Sequence, residues 1–206
     1  MPKPNLYLDV PSCWSDYLDT GIYDEAVDTA PPGSILVEVG SFWGKGAIYL
    51  AEAAKYSKKS LRVYSIDIWA AEPRNNQPMF DRACGGIEPQ IHGEHHDSLF
   101  ETFSYFIGRS HLSPDPLRIM RMDSLEAAGF FHGKRIHFLF LDDDHAYGHV
   151  LSELRAWEPL VTAGGIIAGH DYAQEFGGVI EATTEYFGYA PEVKGTTWIV
   201  RKDIPG

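Results

Sequence analysis

Apolar residues along the chain fall into two kinds of segment. Short apolar runs at 34–39, 135–141 and 166–169, the segment 117–122, and the segment 61–68, where apolar and polar residues alternate, read as strands of a sheet. Between them, 19–29, 94–108, 147–160 and 177–187 carry apolar residues at helical spacing, and 47–56 is rich in alanine. All five read as helices. Asp123 opens a further short helix as its N-cap. Pro31-Pro32-Gly33 stops the first helix, and Gly164-Gly165 leads into the fifth strand. Residues 192–200, with Gly195 inside, read as two short strands joined by a turn. Strands alternating with helices predict a mostly parallel sheet covered on both faces. The expected fold class is α/β, in one domain over 1–206 with an N-terminal helical segment at 1–33. One stretch breaks the rhythm. Pro73, Asn75, Asn76, Pro78, Gly85, Gly86, Pro89 and Gly93 make 70–93 a long loop, either a lid over a site or a passive insertion.

Composition changes this picture only through charge. The 206 residues suit one α/β domain, and shares of 44% hydrophobic and 22% charged are ordinary for a globular protein. The 29 acids against 17 bases give −12. Such a surface repels phosphate backbones and anionic lipid, so neither nucleic acid nor membrane is an expected partner. Lys55, Lys58 and Lys59 form the densest basic group, at a predicted helix end where they complement the dipole. Cys13 and Cys84 make no Cys-x-x-Cys pair, so there is no zinc or redox signature. No apolar run follows Met1-Pro2-Lys3-Pro4, and no stretch approaches the roughly 20 apolar residues of a membrane span. The expected location is the cytoplasm. A homo-oligomer is compatible with the sequence, which carries no signal for one.

In open parallel sheets, ligands bind beyond the carboxyl ends of the strands. The residues there are Gly40 to Gly46, then Asp67-Ile68-Trp69, Asp123-Ser124, Asp142-Asp143-Asp144-His145 and His170-Asp171-Tyr172. Ionisable groups thus gather at one edge. The first turn is spaced Gly-x-x-x-Gly-x-Gly, which is neither the dinucleotide fingerprint nor a phosphate loop. Asp67 can accept from a ribose diol or be a solvated strand end, and Trp69 can stack on a base or pack. Asp142-Asp143-Asp144 exceeds what one helix cap needs, and Asp144 lies where it could supply that cap. His92, His95 and His96 lack the spacing of a zinc helix and read as solvated loop.

Four of these segments carry a resemblance. Glu38-Val39-Gly40-Ser41-Phe42-Trp43-Gly44-Lys45-Gly46, followed by Val63-Tyr64-Ser65-Ile66-Asp67-Ile68-Trp69, resembles motifs one and two of class I S-adenosylmethionine-dependent methyltransferases. Phe140-Leu141-Asp142-Asp143-Asp144-His145-Ala146-Tyr147 is similar to the signature of small-molecule O-methyltransferases, including those that methylate macrolide sugars. Gly164-Gly165 and Gly169-His170-Asp171-Tyr172 continue the likeness, which spans 34–172. It implies a Rossmann-like, seven-stranded sheet with the last strand antiparallel. It implies S-adenosylmethionine as cofactor, with Gly40, Ser41, Gly44 and Gly46 along the methionine part and Glu38 supporting its amino group. Asp67 would hold the ribose, Trp69 would lie by the base, and Asp123 or Ser124 would sit beside the adenine.

The reaction implied is methyl transfer to a hydroxyl of a small molecule, a sugar or another natural product. His145 would be the general base and Asp142 a ligand of a divalent cation, completed by His170 and Asp171. The family's usual pair at the last two positions is acid-acid or acid-amide, so His170 is a departure. Magnesium prefers oxygen donors, and an imidazole would favour a transition metal. Asp143 replaces a glycine of the family pattern. Two other classes stay open: a non-catalytic nucleoside-binding module on the same fold, and an NAD(P)-dependent oxidoreductase, which the missing fingerprint disfavours.

Overall fold

A computed structural model of the chain describes residues 3–10, 20–70, 90–91, 94–95 and 99–204. Seven strands form one sheet: β1 (Ile35–Val39), β2 (Arg62–Asp67), β3 (Leu117–Arg121), β4 (Ile136–Leu141), β5 (Val161–Gly169), β6 (Glu192–Lys194) and β7 (Thr197–Arg201). Their order is β3-β2-β1-β4-β5-β7-β6. The first five run parallel, and β7 lies antiparallel between β5 and β6. The reversed last strand is as the resemblance implied, and the hairpin of the tail is the one read from 192–200.

Both faces of the central strands are buried because those strands are apolar on both, while the edge strands β3 and β6 stay partly or wholly open. Leu36, Val63, Phe138, Phe140 and Ala168 point to one side, under α1 (Thr20–Thr29), α2 (Lys45–Ser57) and α3 (Leu99–Ser110). Ile35, Val37, Val39, Ile66, Leu139, Leu141 and Ile167 point to the other. There they meet α4 (Ser124–Ala128), α5 (Tyr147–Trp157) and α6 (Gly177–Phe187). Side chains alternate along each strand, so one apolar run feeds two cores. Among the described residues no helix is long and apolar enough to cross a membrane.

Three boundaries differ from the pattern reading. The helix expected from 94 begins at Leu99, because Gln90–Ile91 and Glu94–His95 pair as a two-residue antiparallel ladder. The helix expected to run to 160 becomes a 3-10 turn at Glu158–Leu160, where Pro159 cannot continue the α ladder. Strand β5 begins at Val161, five residues earlier than the apolar run. Most of the 70–93 loop, His92, His96, Cys13 and Cys84 lie outside the described residues.

Candidate active site

Strand register sets the site. Val39 pairs with Ile66 on one side and Leu141 on the other, and Leu141 pairs with Gly169. The next residues, Gly40, Asp67, Asp142 and His170, therefore stand side by side along one sheet edge. Backbone bonds close the gaps: Gly40 N donates to Ile66 O at 2.9 Å and Asp142 N to Val39 O at 2.9 Å.

The glycines of the first turn answer to protein atoms. Gly40 has φ +82°, and a Cβ there would lie 1.9 Å from the Asp142 carbonyl oxygen. This contact seats the turn directly on the exit of β4. A Cβ on Gly46 would lie 2.1 Å from Glu38 Oε1 and 2.8 Å from Tyr23 Oη, so α2 starts close over a buried carboxyl. Tyr23 donates to Glu38 Oε1 at 2.9 Å and Ser41 donates to Oε2 at 2.8 Å, while Ser65 donates to Ser41 Oγ at 2.7 Å. Burial pushes Glu38 up to about 7; the two hydroxyls offset part of this, and Asp67 adds to it. The strongest influences on Glu38 include no cation.

Asp67 ties two loops together. It accepts from Phe42 N at 2.9 Å and Trp69 N at 2.6 Å. Burial raises its pKa against the pull of these N–H groups. Four carboxylates crowd this edge and repel one another: Asp67 raises Glu38 and Asp143, and Glu38 raises Asp142.

Other expected cofactor residues are engaged elsewhere. The Trp69 ring is fully buried, 4.3 Å from Phe103 and 5.2 Å from Phe100, and its Nε1 donates to Phe42 O at 2.8 Å. Its surface is spent on packing under the turn, not exposed to a base. Asp123 caps α4 through the N–H groups of Leu125 and Glu126, at 2.9 and 3.1 Å. Ser124 is buried and donates to Glu153. The apolar groups left open here are Ile68, 47% exposed, and Leu125, 39% exposed. The sequence marks neither, because an exposed aliphatic residue beside a strand end has no signature.

The second half of the site is a His–carboxylate cluster. His145 Nε2 lies 2.5 Å from Asp171 Oδ2, and His170 Nδ1 lies 3.1 Å from Asp171 Oδ1 and 3.9 Å from Asp142 Oδ1. Burial pushes Asp171 up, but the two imidazoles outweigh it and hold the carboxyl below the ordinary range. The bond to Asp171 raises His145 in turn. Asp142 is raised, by desolvation first and by Asp171, against the pull of His170. Its carboxyl is desolvated by the surrounding protein, yet its side chain is the most exposed of the three, 35% against 16% for His170 and 19% for Asp171. Asp171 holds this position with φ +58°, a left-handed conformation that aspartate tolerates better than most residues.

Donor atoms of Asp142, His170 and Asp171 all lie within 4.8 Å of one another. His170 Nε2 is engaged by Thr196 Oγ1 at 2.8 Å, which turns Nδ1 toward the two carboxylates. Two further residues shape the cluster without a sequence signal, because their contacts are remote in the chain. Thr196 comes from the turn between β6 and β7, and the Phe176 ring covers the His145 ring at 4.5 Å between centroids. Asp144 does not cap α5; it accepts from Ala146 N at 2.7 Å, one residue too early, and fixes the turn before the helix.

Comparison with known proteins supplies a context. A family profile described as "Methyltransferase domain" matches residues 37–172. Rhamnosyl O-methyltransferases of Mycobacterium bovis and Mycobacterium tuberculosis are 27% identical over 183 residues, 85% of this chain and 63% of theirs. The chain thus spans less than two thirds of the length of these relatives. Among solved structures, the O-methyltransferase NovP superposes with TM-score 0.60 at 16% identity, covering 89% of this chain and 79% of that one. CalS11, a calicheamicin methyltransferase, gives 0.61 at 14% identity, with coverage of 88% and 76%. These two likenesses concern the fold.

Proposed function

The chain belongs to the methyltransferase-domain family, and from that premise we propose that it transfers a methyl group from S-adenosylmethionine to a hydroxyl oxygen of a sugar, in the cytoplasm. The observation that carries this reading is the pairing of His145 with Asp171 on the same sheet edge as the glycine turn and Asp67.

The edge suits a cationic nucleoside. Glu38 is a buried carboxyl whose strongest influences include no cation, and it stands among mutually repelling carboxylates. An ammonium or sulfonium relieves that repulsion. In this reading Glu38 and the turn Gly40–Gly46 receive the methionine part and Asp67 receives the ribose. Ile68 and Leu125 flank the adenine with the open apolar surface that Trp69 lacks. The cofactor supplies a methyl group on a sulfonium, a leaving group that needs no protonation.

The protein's task is to position the acceptor hydroxyl and take its proton. His145 Nε2 points at Asp171 Oδ2, so the ring donates there and offers Nδ1 to the hydroxyl proton. Asp171 then stabilises the imidazolium that forms as the oxygen takes the methyl group. Asp142, His170 and Asp171 fit a divalent cation, with Asp142 the most accessible donor. A cation held by these three residues would supply Lewis-acid help in making the acceptor hydroxyl more acidic. One imidazole among two carboxylates favours a transition metal over magnesium.

A sugar acceptor is favoured because the curated relatives are named as rhamnosyl O-methyltransferases. The test is transfer of labelled methyl to a panel of rhamnosides, other sugars and phenols, with and without added Mn2+ or Mg2+. Labelled sugar ether supports the reading. Label on phenols alone removes the sugar assignment, and no label on any hydroxyl removes the O-methylation assignment.

A further inference from the structure

Behind the first cluster lies another, which the methyl-transfer reading leaves unused. His149 and Glu153 stand one helical turn apart on α5, so both project from the same face of the helix. Asp143, from the exit of β4, meets them. His149 Nε2 lies 3.6 Å from Asp143 Oδ2 and 3.7 Å from Glu153 Oε1. The donor atoms of all three lie within 4.8 Å of one another.

Three features set this group apart from a solvated acidic patch. First, His149 Nε2 is shut off from solvent and stands at ion-pair rather than hydrogen-bond distance from both carboxylates. Second, Glu153 is 1% exposed, and its carboxylate is held in place by the Ser124 hydroxyl from α4. Third, the spacing fits an ion. Donors about 2.1 Å from a tetrahedral metal stand about 3.4 Å apart, close to both separations and beyond hydrogen-bond range.

The geometry points to a second metal site here, a Zn2+-class ion bound by Asp143, His149 and Glu153 with its fourth position toward the cleft. Imidazole nitrogen and carboxylate oxygen are both donors that zinc accepts, and one neutral imidazole with two carboxylates gives a neutral complex with a divalent ion. The bound ion links the β4 exit to α5 directly and to α4 through Ser124. It thereby braces the loop that carries Asp142 and His145. The site does not depend on the acceptor or on the methyl-transfer reading.

The test uses the full chain stripped of metal, with His170→Gln and Asp171→Asn removing the first group of donors. Zn2+ uptake is measured against a chromophoric chelator, and Co2+ replaces Zn2+ for visible absorption. The expected result is one Zn2+ per chain, not displaced by excess Mg2+, and a Co2+ spectrum of the intense tetrahedral type. Adding His149→Gln, or separately Glu153→Gln, weakens Zn2+ binding at least tenfold, while circular dichroism shows the metal-free fold intact. Zn2+ also raises the melting temperature of the parent and leaves that of the His149→Gln chain unmoved. The proposal is overturned if the parent takes up no Zn2+, if Mg2+ displaces it, or if folded His149→Gln protein binds it equally well. In that case Asp143, His149 and Glu153 are an ion-paired group and nothing more.

Discussion

Glu38 makes the acid-buried half of the site measurable. Its carboxyl is 4% exposed, and its pKa rises from the ordinary 4.5 to about 7. The folded chain therefore holds this proton more tightly than the unfolded chain. Between these two values the unfolded state has lost the proton and the folded state keeps it, so stability falls as pH rises. At about 1.4 kcal/mol per pH unit, the cost of the ionised group above pH 7 is about 3 kcal/mol. In a domain of this size each kcal/mol moves the melting temperature by about 2–4 °C. Because pH 5 already lies above the unfolded value, about 2.5 kcal/mol of this falls between pH 5 and pH 8, and Glu38 alone should lower the melting temperature by about 5–10 °C over that range. Glu38→Gln keeps the shape but cannot ionise, and its amide oxygen can accept from only one of the two hydroxyls, a loss that does not vary with pH. With no cofactor present, the wild-type melting temperature should fall relative to that of the variant by that amount from pH 5 to pH 8. Subtracting one chain from the other cancels titrating groups that do not interact with Glu38, while Asp142 and Asp67, which do, titrate as part of the same difference. S-adenosylhomocysteine, whose ammonium prefers the ionised carboxylate, should bind the wild type more tightly at pH 7.5 than at pH 5.5 and show a weaker pH dependence with the variant. Parallel melting curves for the two chains across the whole pH range would falsify the buried-acid assignment.

His145→Ala should cut turnover by about 10²–10⁴-fold, the usual worth of a positioned base, while calorimetry finds S-adenosylhomocysteine affinity changed only a few-fold. Loss of cofactor binding in that variant would instead place His145 in the cofactor pocket. Gly40→Ala combines a left-handed φ with a Cβ 1.9 Å from the Asp142 carbonyl, and should lose about 3 kcal/mol in a denaturant titration together with cofactor affinity. A neutral result there would mean that the turn is not seated on β4. Ile68→Ser should weaken cofactor binding without lowering the melting temperature, whereas Trp69→Ala should destabilise the fold by about 3–5 kcal/mol. Reversal of these two effects would return the adenine contact to Trp69. Chelation of the Asp142–His170–Asp171 cluster should lower turnover and be reversed by Mn2+ better than by Mg2+; indifference to chelator would remove the cation from the reaction.

The edge of the sheet was legible because parallel strands buried on both faces leave continuous apolar runs, and the first polar residue after each run marks its exit. That is how Gly40, Asp67, Asp142 and His170 could be placed together before their register was known. What each residue touches was less legible. Trp69 looks like a stacking residue from its position, yet the aromatic pair that covers it, Phe100 and Phe103, comes from a helix more than 30 residues on. Ser124 faces Glu153 through a contact across 29 residues, and Asp143 reads as an incidental substitution until His149 is seen beside it. The glycines were found by their spacing, but the atoms that require Gly46, Glu38 Oε1 and Tyr23 Oη, include one from a helix with no motif.

The most direct measurement is a crystal structure with S-adenosylhomocysteine bound. The sulfur should lie over the exits of β1 and β4 with room for one acceptor oxygen between it and the His145 ring, and the ribose should meet Asp67. A ligand seated away from that edge, or a sulfur turned from His145, would contradict the claim that one cleft joins the two halves.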